Sequence, residues 1–134
     1  MAAEGTVKGM KWVLIIAGLI TLIYWGVMLV FVTPGMAALY GVPYPQEPIY
    51  VRVIGMLCVL LGLLFLLASR DPVKSRLVVD IGIINYALFL IFGIVTKFIA
   101  REEVGFFGFF WWNILVVWIF LILFIRYRPK SAVS

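Results

Sequence analysis

Histidine is absent from this 134-residue chain, and cysteine occurs once, as Cys58. The first absence excludes bis-histidine haem, histidine-ligated metals and histidine general bases. The second excludes an internal disulfide and a Cys-x-x-Cys redox pair. Charge is scarce as well: 13% of residues are Asp, Glu, Lys or Arg, against about a quarter in a soluble domain. A chain this short exposes a large part of its surface, and too few polar residues are present to coat it. The sequence is filled instead by apolar residues, 66% of the total, with a mean hydropathy of +1.19. Lipid is therefore the expected solvent for most of the length. That sets aside a soluble enzyme, a nucleic-acid partner and a disordered tail. Eleven Lys and Arg against six Asp and Glu leave a net charge of +5, and in a membrane chain such a surplus reports topology.

Four apolar blocks follow one another, at residues 12–32, 50–68, 77–99 and 105–125. Each has roughly the 20 residues a helix needs to cross a ~30 Å hydrocarbon core. None alternates as a barrel strand would, and backbone groups at mid-depth must pair internally. The expectation is an all-α, integral membrane four-helix bundle in a single domain. The first block is too long for a signal-peptide core and lacks a small-x-small cleavage site, so it is expected to be a retained span. Eight basic residues (Lys8, Lys11, Arg70, Lys74, Arg76, Arg126, Arg128 and Lys130) fall on one side of such a bundle, and three (Arg52, Lys97 and Arg101) on the other. The bias places both termini in the cytoplasm, and the expected location is a bacterial inner membrane.

The outer connection, Thr33 to Ile49, is the longest. Thr33 suits an N-cap, Pro34 a first helical position and Gly41 a C-terminal stop, predicting a short surface helix over residues 34–40. The prolines that follow hold the chain extended. This connection is either an ordered link with tyrosines at headgroup depth or a partner-docking cap. The inner Arg70–Arg76 loop is short and contains an Asp-Pro turn signal, so the second and third spans are antiparallel neighbours.

Ionisable and polar groups inside the spans are the candidate functional residues. Asp80 lies about one turn into the third span, with Arg76 four residues before it on the same face. Asp80 is either a proton or cation site or an anchor for a ligand amine, or else part of an interfacial ion pair with Arg76 or another basic residue. The shallow depth favours the ion pair. Asn85 lies deeper, in a stripe at helical spacing that includes Gly82, Tyr86, Phe89, Gly93 and Thr96. Small residues admit a neighbouring helix, and an amide can bond across the interface. The alternative is that this stripe lines a ligand cavity. Gly55, Cys58 and Gly62 form a second small face, expected to pack on a neighbour such as the third span, with Cys58 a small buried hydrophobe. Arg52 opens the second span and either snorkels or meets a lipid or partner group. Tyr24 and Trp25 sit near the middle of the first span, where phenol and indole need acceptors. Asn85 and Asn113 are the acceptors expected. The aromatic run from Gly105 to Trp112 reads as an interfacial belt, or as a wall for a flat apolar molecule.

The stretch Tyr50-Val51-Arg52-Val53-Ile54-Gly55, then Leu61 to Pro72, together with Leu39-Tyr40-Gly41, resembles the small bacterial membrane proteins of the DoxX-like and BphX-like group. The resemblance covers residues 39–80. It implies a four-helix bundle with both termini inside. Some of that group resemble accessory subunits of respiratory or thiol-linked assemblies, and no catalytic motif carries over. The expected function is an accessory subunit of a larger membrane protein complex, without catalysis, metal or cofactor. Two alternatives are a binder of a lipid, quinone or other hydrophobic small molecule in the interior, and a small transporter using Asp80.

Overall fold

The computed structural model describes residues 2–39, 44–99 and 110–130. Among them every regular element is a helix. The first rod begins as α1, Ala2–Ile20, widens into a π-helix over Thr21–Val27, and resumes as α2, Met28–Val30. A surface helix, α3, covers Pro34–Leu39. The Thr33 Oγ1 accepts the Met36 N–H at 3.3 Å, the N-cap its sequence predicts. Tyr40 and Gly41 lie outside the described residues. Then come α4, Pro48–Ala68; α5, Arg76–Ile94, running into a π turn at Val95–Ile99; and α6, Phe110–Arg126.

Among the described residues, three helices are long and apolar enough to cross a membrane: Glu4–Val30, Pro48–Ala68 and Arg76–Ile94. The fourth, α6, has 17 residues, about 25 Å of rise, and residues 100–109 before it lie outside the described set. The first part of the expected aromatic belt lies there too. The expected first span, 12–32, starts ten residues late, because helix extends back to Ala2. Its amino-terminal turns are held by packing: Met10 is wholly buried, and Gly9 lies against the Tyr127 ring. The expected third span, 77–99, is helical, but its hydrogen-bond pattern changes from α to π at Val95.

The four long elements close a ring in which the first rod packs on α4, α4 on α5, α5 on α6, and α6 back on α1. The densest contact is between the first rod and α4. It depends on glycine. A Cβ on Gly62 would stand 2.7 Å from the Leu22 nitrogen and 2.9 Å from the Gly18 carbonyl. A Cβ on Gly55 would stand 2.6 Å from the Val30 nitrogen and 2.9 Å from the Gly26 carbonyl. The small face of α4 thus packs on the first rod and not on the third span, a correction to the sequence expectation. The reason is that the first rod supplies matching glycines. Two small faces bring backbones closer than one can.

These glycine pairs explain the π-helix. Gly55 and Gly62 are seven residues apart, while their partners Gly26 and Gly18 are eight apart. The widened turn absorbs the extra residue, since π hydrogen bonds run i to i+5. Burial records the same slip. Met10, Val13, Leu14, Ala17, Gly18 and Thr21 are buried at α-helical steps, and the stripe then jumps five residues to Gly26 before continuing to Leu29 and Val32.

Gly82 on α5 admits Phe124 and Phe65, whose ring atoms lie 2.5 and 3.1 Å from where its Cβ would be. Gly93 is buried on the same helix. Both therefore pack inward as expected. Phe65, Tyr86, Phe120 and Phe124 make an aromatic cluster, with Phe65 and Phe124 centroids 5.2 Å apart and Tyr86 edge-on to Phe124 at 5.4 Å.

Both described ends of the chain and the loop between α4 and α5 gather at one end of the bundle. Lys8, Lys11, Arg70 and Asp71 line one groove there, and Asp80 is held by Arg128, with Nε to Oδ1 at 2.6 Å and Nη2 to Oδ2 at 2.9 Å. The partner is thus Arg128 and not Arg76. A bidentate fork matches both carboxylate oxygens, and the chain leaving α6 delivers one. Both side chains are partly exposed, so the clasp is expected to be salt-sensitive. Asp80→Asn should lower the unfolding midpoint in detergent at low ionic strength, and the deficit should shrink as salt is added. A deficit independent of salt would rule out a screened ion pair.

Candidate functional site

The glycine contacts draw α4 toward the first rod along its whole length. The α4–α5 contact is far smaller, and Phe65 meets Gly82 and Tyr86 in the half of the bundle nearer the α4–α5 loop. Farther along, the two helices part. Between them, the first rod and α6 lies a cavity of about 540 Å³, within the range typical of small-molecule sites.

Helical spacing builds its walls. Thr21, Trp25 and Leu29 come from the first rod, and Val51, Ile54, Cys58 and Leu61 from α4. Tyr86, Phe89 and Phe92 come from α5, Asn113 and Val117 from α6, and Asn85 and Leu57 complete the lining. Ile54, Leu57 and Phe92 are exposed by more than half, so the opening is lateral, between α4 and α5. The aromatic cluster around Tyr86 closes the end nearer the α4–α5 loop.

Among these apolar walls are five side chains that carry an N–H or O–H group. The Trp25 Nε1–H donates to Asn113 Oδ1 at 3.3 Å, linking the first rod to α6 across the bundle. Asn113 is buried. The Thr21 Oγ1 and Tyr86 Oη are both buried without a hydrogen-bond partner among the described residues. They lie close to each other. Asn85 stands exposed at the rim.

The structure thus brings three of the four expected interior residues, Trp25, Asn85 and Asn113, onto one cavity. Asn85 is at its edge and not in its core, because it sits one position before Tyr86 and points about 100° away from it around the helix. Tyr24 does not line the cavity. It packs edge-on against the outside of the Trp25 ring, with centroids 5.9 Å apart. Cys58 is half-buried and part of the cavity wall, not the closely packed residue expected between Gly55 and Gly62. Arg52 is exposed at the start of α4 and makes no salt bridge among the described residues. Asp80 lies outside the cavity, in the clasp with Arg128.

Sequence reasoning missed Thr21. A hydroxyl in mid-span one turn before Trp25 was the available signal, but it carries weight only once packing of the helices buries it. Arg128 was counted for topology and not as a partner, because it lies beyond the last helix.

Comparison of the chain with protein-family models, with curated proteins and with solved structures returns no match.

Proposed function

We propose that the chain is a four-span membrane protein, with both termini in the cytoplasm of a bacterial inner membrane, that binds a hydrophobic small molecule in the cavity between the first rod, α4, α5 and α6. The observation that carries this reading is the combination of a lateral apolar cavity with a few polar side chains on its walls, Thr21, Tyr86 and Asn113. A packing defect alone would be lined by apolar atoms, since burying an unpaired hydroxyl is costly. The lateral opening suits a ligand that arrives through the bilayer. The walls supply no nucleophile with a base, so the role is binding without chemistry. The resemblance of residues 39–80 to the DoxX-like and BphX-like group is compatible with this plan and implies the same four spans.

The test is lipid and small-molecule mass spectrometry on protein extracted in mild detergent. The wild-type chain should carry one class of non-phospholipid molecule at near-stoichiometric amount. Cys58→Phe, which projects a ring into the cavity from a half-buried position, should reduce its occupancy about tenfold, equivalent to ~1.4 kcal/mol. Equal recovery from both proteins, or none from either, would overturn the reading. Stable co-purification of larger subunits with no small molecule would establish the accessory-subunit role instead.

A further inference from the structure

We propose that the groove between α1 and the α4–α5 loop holds the phosphate of an anionic phospholipid. The proposal rests on the membrane-spanning reading of the helices and is independent of the cavity between them.

The depth of the groove follows from where exposed apolar side chains stop. At this end of the bundle the outermost large apolar side chains exposed on each long helix are Trp12 on α1, Leu67 on α4, Leu77 on α5 and Ile125 on α6. Together they mark the edge of the acyl region, where an indole is an ordinary anchor. Lys11 directly precedes Trp12, and Arg70 lies three residues beyond Leu67. Both therefore stand at headgroup depth. Helix α1 does not stop at that level but runs back to Ala2. Its first turns form one wall of the groove, and the chain leaving α4 forms the other. The space between them is about 470 Å³.

The charge on these walls is uncompensated toward the bilayer. Lys8 and Lys11 are three apart on α1 and share a face, where like charges repel. Arg70 joins them from the loop. All three side chains are exposed, and none makes a salt bridge among the described residues. Two carboxylates also line the groove, and neither offsets these cations. Asp71 is engaged by Lys74, with the ammonium at 3.6 Å and the Lys74 N–H donating to Oδ1 at 3.2 Å. Glu4 lies seven residues before Lys11, about 10 Å farther along the helix, and makes no salt bridge among the described residues either.

A phosphate fits what is left. A guanidinium grips its oxygens as a fork, and an ammonium meets it as a point charge. Basic grooves between helices at this depth suit lipid head groups. A phospholipid is also tethered in the bilayer beside the groove, which gives it an effective concentration that free phosphate lacks. The net charge of the head group decides between lipids, because a zwitterionic head brings an ammonium of its own that the three cations repel.

The experiment titrates the full chain, in mild detergent, with dioleoyl phosphatidylglycerol and dioleoyl phosphatidylcholine, and counts bound lipid by native mass spectrometry. The acyl chains are identical, so only the head groups differ. The wild-type chain should bind the anionic lipid about tenfold more tightly. Lys11→Gln with Arg70→Gln should bring that preference to within about twofold of unity while binding of phosphatidylcholine is kept, which shows the fold intact. Arg126→Gln with Lys130→Gln removes the same charge from exposed positions at the same end and should keep the preference. Equal binding of the two lipids by the wild-type chain would overturn the proposal. An equal loss in both double variants would assign the preference to the basic end as a whole and overturn the groove. Displacement of the anionic lipid by an equal concentration of glycerol 3-phosphate would make the occupant a free phosphate ester and overturn the lipid assignment.

Discussion

Replacing Gly62 by valine is expected to unseat α4 from the first rod. The new Cβ would stand 2.7 Å from the Leu22 nitrogen, 2.8 Å from the Leu22 Cβ and 2.9 Å from the Gly18 carbonyl. Two of these are backbone atoms, which cannot rotate aside as a side-chain end can. Overpacking a tight core costs about 1–3 kcal/mol, and a β-branched residue against backbone belongs at the upper end. Part of this is offset, because any side chain gains up to ~1 kcal/mol over glycine in helix propensity. The net expectation is a loss of about 2 kcal/mol, with a visible drop in the fraction that survives detergent extraction. The control is Gly5→Ala on the same rod, where nothing lies within 4 Å of the added Cβ. That change should be neutral or slightly stabilising. Denaturation of both variants in mixed micelles decides the matter: if Gly62→Val unfolds with the wild type, the close approach of backbones is not what holds these helices together.

Phe65→Ala is expected to have the largest effect among truncations. Its side chain is fully buried, and it touches the Phe124 and Tyr86 rings as well as the hollow left by Gly82. In a soluble protein such a change costs about 3–5 kcal/mol, part from lost transfer out of water and part from the void left behind. In a membrane the first part largely vanishes, because the unfolded helix already lies in hydrocarbon. The void and the lost ring contacts remain, giving an expected loss of about 2–3 kcal/mol. Leu60→Ala removes an apolar side chain that is 57% exposed, and here the same reasoning predicts almost no change. Steric-trap or mixed-micelle unfolding of the two variants checks both numbers together. A Leu60→Ala loss equal to that of Phe65→Ala would mean that stability follows apolar area and not internal packing.

The pattern of residues reveals the helices and hides part of their pairing. Long apolar runs and scarce charge are enough to place α4 and α5, because a ~30 Å slab admits few lengths. The surface helix after Thr33 was legible from Thr33 and Pro34, where local chemistry decides. The bond from Trp25 to Asn113 was legible because a mid-span indole must find an acceptor. The partner of the Gly55–Gly62 face was not. A small face states that some backbone will come close, and the glycines that receive it on the first rod, Gly18 and Gly26, are spaced one residue wider, so that only the π turn brings the two faces into register. Which basic residue pairs with Asp80 stayed open for a related reason. Arg76 is near in sequence and Arg128 near in space, and the latter depends on where α6 ends against α5.

The one-residue mismatch between the glycine pairs has a further consequence for the far end of the molecule. An extra residue in a packed helix must either rotate everything beyond it or be taken up locally. Here the turn from Thr21 to Val27 takes it up, so the carboxy-terminal part of the rod is advanced by one step relative to the frame set at Gly18. Without that step, Leu29 and the residues beyond it would be swung about 100° around the axis, off the face that meets Gly55 on α4. What seats Leu29 against α4 is therefore the number of residues between two glycines, irrespective of which residue is counted as the added one.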